Sequence, residues 1–133
     1  MGDFTKLQVW SKAKDVSVLV YKITSNLSFV RDKSLQNQIR RSAVSVPSNI
    51  AEGAGYDSNP QSIRFFNIAR GSIAELRTQL LISKEIGYLS PKSFDYLENE
   101  LIIITAMLTK IIKVRSVSIS KPIEPITNNR KPL

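Results

Sequence analysis

Residues 38–53 read QIRRSAVSVPSNIAEG, and their spacing describes one helix with two unlike faces. At 100° per residue, Gln38, Arg41, Ser45, Asn49 and Glu52 fall within an arc of roughly 80°, while Leu35, Ile39, Val46 and Ile50 gather on the adjoining arc. A helix that merely faced water would fill its polar arc with long Lys and Glu side chains. Here Ser and Asn occupy the middle of the arc, and such short groups let another backbone come close. The plain alternative is an ordinary amphipathic surface helix. The sharper expectation is a covered polar network of Gln38, Arg41, Ser45, Asn49 and Glu52, in which Arg41 and Glu52 require partners. Glu75, further along the chain, is the acid expected to pair with Arg41 or Arg70. Pro47 adds a second demand, because a mid-helix proline frees the carbonyl of Ala43 at a cost of about 3 kcal/mol unless a neighbour compensates. Ser42 and Ser45 are the candidates for that task.

Working outward, Val9, Ala13, Val16, Val20, Ile23 and Leu27 recur at helical spacing, with Lys6, Lys12, Lys14 and Lys22 off the seam, so a first helix is expected over 6–27. Ser28 to Lys33 breaks the period. Ser34 then reads as the N-cap of the second helix, which runs to Glu52 and stops at Gly53, with Gly55 also marking its end. The loop GAGYDSNP leads to Asn59 and Pro60, a cap followed by proline, and a third helix over 60–86 that stops at Gly87. Ser90 and Pro91 repeat that start for a fourth helix over 91–115. Four helices with short connections predict an all-α, antiparallel up-and-down four-helix bundle over residues 1–115. Beyond it, Pro122, Pro125 and Pro132 with Asn128, Asn129, Arg130 and Lys131 leave no periodic apolar face. Residues 116–133 are read as a flexible basic tail.

Two of these helices carry more apolar surface than one bundle needs. Leu101 to Val114 reads LIIITAMLTKIIKV, with Leu101, Ile104, Leu108 and Ile111 on one face and Ile102, Ile103, Met107 and Ile112 around the rest. That run is too short, and with Lys110 and Lys113 too charged, to span a bilayer, so no membrane is expected as a partner. In the third helix Ile73, Leu76 and Leu80 form a seam that Phe65, Ile68 and Ile86 widen. Contact between subunits accounts for the excess, and a homo-oligomer is expected.

The 133 residues suit one domain, and they contain no cysteine and no histidine. Disulfides, thiol nucleophiles, the usual zinc and haem ligands and the commonest general base near neutral pH are thereby excluded. Among carboxylates, Glu52, Glu75, Glu98 and Glu100 are the catalytic candidates, but none sits in a motif, and Gly53 with Gly55 lacks the order of a phosphate loop. The expectation is a chain that is not an enzyme, with no catalytic, metal or cofactor-binding residues and no cofactor. MGDFTKLQVW does not resemble a secretory signal, which points to a soluble cytoplasmic protein.

Nineteen Lys and Arg against eleven Asp and Glu give a formal charge of +8, and the pI is near 9.9. Such an excess favours polyanionic partners, although many small proteins are basic without binding nucleic acid. Arg70, Arg77 and Lys84 are spaced by seven, which lines them along one side of the third helix, and Arg40 lies beside Arg41 on the second. Arg40, Arg70, Arg77 and Lys84 are therefore the candidate nucleic-acid contacts. Trp10, Tyr21, Tyr56 and Tyr88 do not form a stacking platform, which disfavours sequence-specific single-strand recognition.

The QIRRSAVSVPSNIAEG block, with Phe65, Phe66, Ile68, Ala69, Arg70, Gly71, Ser72, Ile73, Ala74, Glu75 and Leu76, resembles the four-helix-bundle family of 23S rRNA intervening-sequence proteins over about residues 4–114. That family is similar in turn to the accessory variability determinant of diversity-generating retroelements. The resemblance implies a homopentamer without known catalytic activity. For the retroelement relative it also implies RNA or DNA binding linked to a reverse transcriptase. Two functions are thus in view: an oligomeric accessory or scaffold that holds nucleic acid by charge, and a protein–protein adaptor that binds none.

Overall fold

The structure, a computed structural model, describes residues 3–120, with side chains to residue 117. After a 3-10 turn at Phe4–Lys6, the helices are α1 (Gln8–Ile23), α2 (Leu27–Val30), α3 (Lys33–Ala54), α4 (Asn59–Glu85) and α5 (Pro91–Ser120). No strand occurs among the described residues, and the four long helices form the expected bundle. α3 lies between α1 and α4, and α5 closes the square against α4 and α1. Contacts run in opposite numerical directions on each neighbouring pair. Ser17 reaches Ala43 and Thr24 reaches Gln36 between α1 and α3, Ser45 meets Ser72 and Gly53 meets Ser62 between α3 and α4, and Arg77 meets Glu98 while Ser62 meets Arg115 between α4 and α5.

The apolar seams read from the sequence make the core. Val9, Ala13, Val16 and Val20 of α1, Ile39, Val46 and Ile50 of α3, Ile73, Leu76 and Leu80 of α4, and Leu101, Ile104 and Leu108 of α5 are all buried. Removing each Leu or Ile from water contributes roughly 1.5–3 kcal/mol, so this seam outweighs every polar contact described below.

Several expected boundaries move. α1 ends at Ile23 rather than residue 27, and Leu27 is 59% exposed. The stretch expected to be irregular contains α2, capped by the Asn26 side chain, which accepts from Phe29 N at 3.1 Å and drives Phe29 into the core. Asp32, not Ser34, caps α3, accepting from Leu35 N at 3.2 Å. Ser58 holds the cap position of α4, with Asn59 and Pro60 inside its first turn. Ser90 caps α5 as expected, accepting from Ser93 N at 3.1 Å. Gly87, with φ of +84°, takes the left-handed conformation after α4 that other residues resist. α5 continues past the expected end at 115 to Ser120, and residues 121–133, most of the expected tail, lie outside the described residues.

Gly53 does not stop α3. It is buried inside the helix, where a Cβ would stand 2.7 Å from Cε1 of the buried Phe66 ring, so it is there for close approach to α4. Pro47 is accommodated from an unexpected direction. The Ala43 carbonyl it frees accepts from Ser17 Oγ of α1 at 2.7 Å, not from Ser42 or Ser45. One buried hydroxyl thus repairs the gap and ties two helices together.

Candidate functional site

The polar stripe of α3 borders a shallow groove against α4, lined by Gln38, Arg41, Ser42, Ser45, Glu75 and Gln79. Its floor is a small hydrogen-bonded cluster. Ser45 Oγ and Ser72 Oγ are 2.8 Å apart, and Asn49 Nδ2 donates to Ser45 O at 2.8 Å and Ser45 Oγ at 3.0 Å. Short side chains let the helices approach closely here.

The charged rim differs from the expected network. Gln38, Arg41, Glu52 and Glu75 are exposed, and the ion pairs among the described residues are Lys12–Glu100, Lys14–Asp15 and Arg77–Glu98. Arg41 therefore joins neither Glu75, although both line the groove, nor Glu52, which lies about three turns further along the same helix. Gln38 bonds Ser34 Oγ at 3.4 Å. Gln79 Oε1 is buried beside the rim with no donor, a state that costs about 1–3 kcal/mol.

The four candidate nucleic-acid contacts are occupied inside the molecule. Arg40 lies 4.5 Å over the Tyr21 ring and donates to Thr24 Oγ1 at 2.9 Å and Tyr21 O at 3.1 Å. Arg70 donates to Asn67 Oδ1 at 2.6 Å and Thr109 Oγ1 at 3.1 Å. Arg77 forms a two-pronged pair with Glu98, at 2.8 and 2.9 Å. This bonding holds the Glu98 carboxyl below the usual carboxylate range and raises Arg77 further. Lys84 stands 4.7 Å over the Phe94 ring. Seven-residue spacing does place Arg70, Arg77 and Lys84 on one flank, but that flank faces α5. Of the three, Arg77 has its charge locally neutralised.

The other chemical candidates are dispersed. Glu98 belongs to Arg77, Glu100 lies 3.5 Å from Lys12, Glu75 lines the α3–α4 groove, and Glu52, about two turns beyond Ser45 on α3, borders Phe4 and Tyr56. Among the described residues no three His, Cys, Asp or Glu gather to hold a metal, and no helix is long and apolar enough to cross a membrane. Tyr56 stacks on Phe65, Trp10 packs edge-on against Phe4, and Tyr88 packs against Phe29, so the aromatic residues serve separate local contacts.

Sequence reasoning missed three polar joints. Gln36 Nε2 donates to Thr24 O at 2.8 Å, closing the end of α1. Ser62 Oγ donates to Gly53 O at 2.6 Å, closing the end of α3, and Arg115 Nη1 reaches Asn59 Oδ1 at 3.2 Å and Ser62 Oγ at 3.4 Å. Each partner lies on another element, with no local signal. Gln79 had one, for it continues the steps of four and three that run Ile68, Ser72, Glu75, Gln79, Ile82, Ile86.

No curated protein matches the chain. Among solved structures it is similar to a protein of unknown function from the S23 ribosomal protein family of Bacteroides thetaiotaomicron. The two are 26% identical, with 79% of this chain and 98% of that chain covered and a TM-score of 0.73. Residues 5–110 match the family described as 23S rRNA-intervening sequence protein. With the bundle and most of its length thus accounted for, the chain belongs to the 23S rRNA-intervening sequence protein family.

Proposed function

We propose that this chain is a non-catalytic, self-associating scaffold that binds RNA or DNA through charge. The observation that carries the reading is the surplus of cations. Residues 3–117 hold 16 Lys and Arg against 10 Asp and Glu, a net of +6, and three ion pairs use few of them. Lys22, Arg31, Lys33, Arg41, Lys92, Lys110 and Lys113 are exposed and outside those pairs. They, rather than Arg40 or Arg77, supply the field that a polyanion would meet. Binding of this kind depends on summed charge more than on any one contact.

Self-association multiplies that charge. Tyr96, Ile86, Ile82 and Ile102 are 57%, 52%, 48% and 47% exposed, apolar side chains on more than one side of the bundle and suited to burial between copies. A pentamer, the number implied by the resemblance, would carry about +30 from its bundles. Because Tyr56, Trp10 and Tyr88 serve separate ring contacts and the exposed Tyr96 stands apart from them, the reading is contact with phosphates without base readout. An RNA-processing or reverse-transcribing protein is a fitting partner for such a scaffold.

The test is a binding titration of the purified chain with duplex and single-stranded RNA and DNA across salt, read beside light scattering. Binding that weakens steeply between about 50 and 200 mM salt supports the reading. No binding at the low end overturns it and leaves the adaptor reading, which capture of a defined protein insensitive to nuclease would favour.

A further inference from the structure

Two features of the α3–α4 groove serve nothing within one copy. Gln79 Oε1 is shut away from solvent without a donor. The outer edge of α4 also repeats Ile68, Ser72, Glu75, Gln79, Ile82 and Ile86 in alternating steps of four and three, the spacing of a helix-packing seam. Ile68, Ile82 and Ile86 are exposed along that edge, while Phe66, Ile73, Leu76 and Leu80 serve the core.

α5 carries a second seam of the same spacing, Tyr96, Glu100, Ile103, Met107 and Lys110. Tyr96 and Lys110 are exposed, and Ile103 and Met107 half-buried. Glu100 contacts Lys12 of α1, so this seam leans to the α1–α5 side of the bundle, away from the α3–α4 groove. Two different surfaces on opposite sides of one chain join copies head to tail, and a ring results when the rotation closes.

The contacts within one copy fix the heights of both surfaces along the bundle. Lys84 lies over Phe94 and Arg77 meets Glu98, so Tyr96, between Phe94 and Glu98, stands level with Gln79. Arg70 meets Thr109 and Ser62 meets Arg115, so Lys110 stands level with Ile68 and Ala69. Phe66 packs on Gly53, which puts Glu52 level with Asn67 and so within about half a turn of Lys110. Glu100, just beyond Glu98, is level with Glu75 and hence with Arg41 across the groove. Rotation about an axis parallel to the helices changes none of these heights.

Resting on the self-association reading, we propose that the α5 seam of one copy seats in the α3–α4 groove of the next. The matches are chemical as well as geometric. The Tyr96 hydroxyl can donate to the orphaned Gln79 Oε1 once that half-buried side chain turns toward the groove it lines. Glu100 meets the unpaired Arg41, and Lys110 meets the unpaired Glu52. Ile103 lies over the short Ser45 and Ser72 of the floor, where a helix can come close.

Charge reversal tests this on the whole chain, with mass read by analytical ultracentrifugation and folding by circular dichroism. Lys110→Glu and Glu52→Lys each remove a partner that matters between copies and touch no contact within one. Each is expected to weaken association by roughly tenfold or more, and the double variant to restore it. An assembled wild type whose mass neither single reversal alters overturns this interface and leaves self-association standing. Loss in both single variants without recovery in a folded double variant also overturns it. A monomeric wild type ends both readings.

Discussion

On the side of α3 that meets α1, inward-reaching polar groups end on partners. Ser17 of α1 donates to Ala43 O, Gln36 closes Thr24 O, and Arg40 takes Thr24 Oγ1, Tyr21 O and the Tyr21 ring. On the side toward α4, Ser45, Ser72 and Asn49 bind one another, but Arg41, Glu52 and Glu75 stay open and the enclosed Gln79 Oε1 lacks a donor. The first flank answers needs of the backbone, namely the gap left by Pro47 and the bare carbonyls at the end of α1. The second carries groups that no backbone of this chain requires. A helix that satisfies one flank so fully and leaves the other unfinished is divided between holding the fold and meeting something outside it.

The inner seam between the flanks sets the largest effect. Gly53→Ala should destabilise the chain by about 2–3 kcal/mol in denaturant unfolding, because the buried Phe66 ring has nowhere to go. On the closed flank, Ser17→Ala should cost about 2 kcal/mol by leaving Ala43 O bare. Adding Pro47→Ala should recover part of it, since residue 47 then supplies its own N–H. A full loss unchanged in the double variant would refute the repair role of Ser17.

A third prediction uses pH. Hydrogen bonding to Arg77 depresses the folded carboxyl of Glu98, so the pair's contribution is fully present above the unfolded pKa and is lost as pH falls through the folded value. Both side chains are partly exposed, at 40% and 27%, so the contribution is about 1 kcal/mol at most. Unfolding curves of wild type and Glu98→Gln should therefore differ at neutral pH and converge in acid. The smallest effect belongs to the open flank. Arg41→Ala or Glu52→Ala should shift the stability of the dilute, dissociated chain by less than about 0.5 kcal/mol, as exposed residues without partners do. A loss near 3 kcal/mol would restore the buried network expected from the sequence and erase the contrast between flanks.

The four long helices were legible because Val9 to Val20, Ile39 to Ile50, Ile73 to Leu80 and Leu101 to Leu108 repeat at helical spacing over several turns. α2 was not, for four residues are too few to show a period. Gly53 was misread because glycine both ends helices and admits close neighbours, and Phe66, which decides between these roles, lies on the next helix. The stripe from Gln38 to Glu52 lies on α3, and whether its charges pair depends on the reach of Glu75 across a helix pair. Arg77 shows the same limit, since spacing aligned it with Arg70 and Lys84 while its partner Glu98 sits on α5.

The joint between α3 and α4 has a consequence for the order in which the protein is made. Ser62 closes the last carbonyls of α3, yet Arg115, which holds Ser62 and Asn59, comes 53 residues later. A ribosome releases the first three long helices before it has finished the latch on their shared corner. Until the end of α5 emerges, that corner of the nascent chain is fastened by the serine and by Phe66 against Gly53, without the arginine.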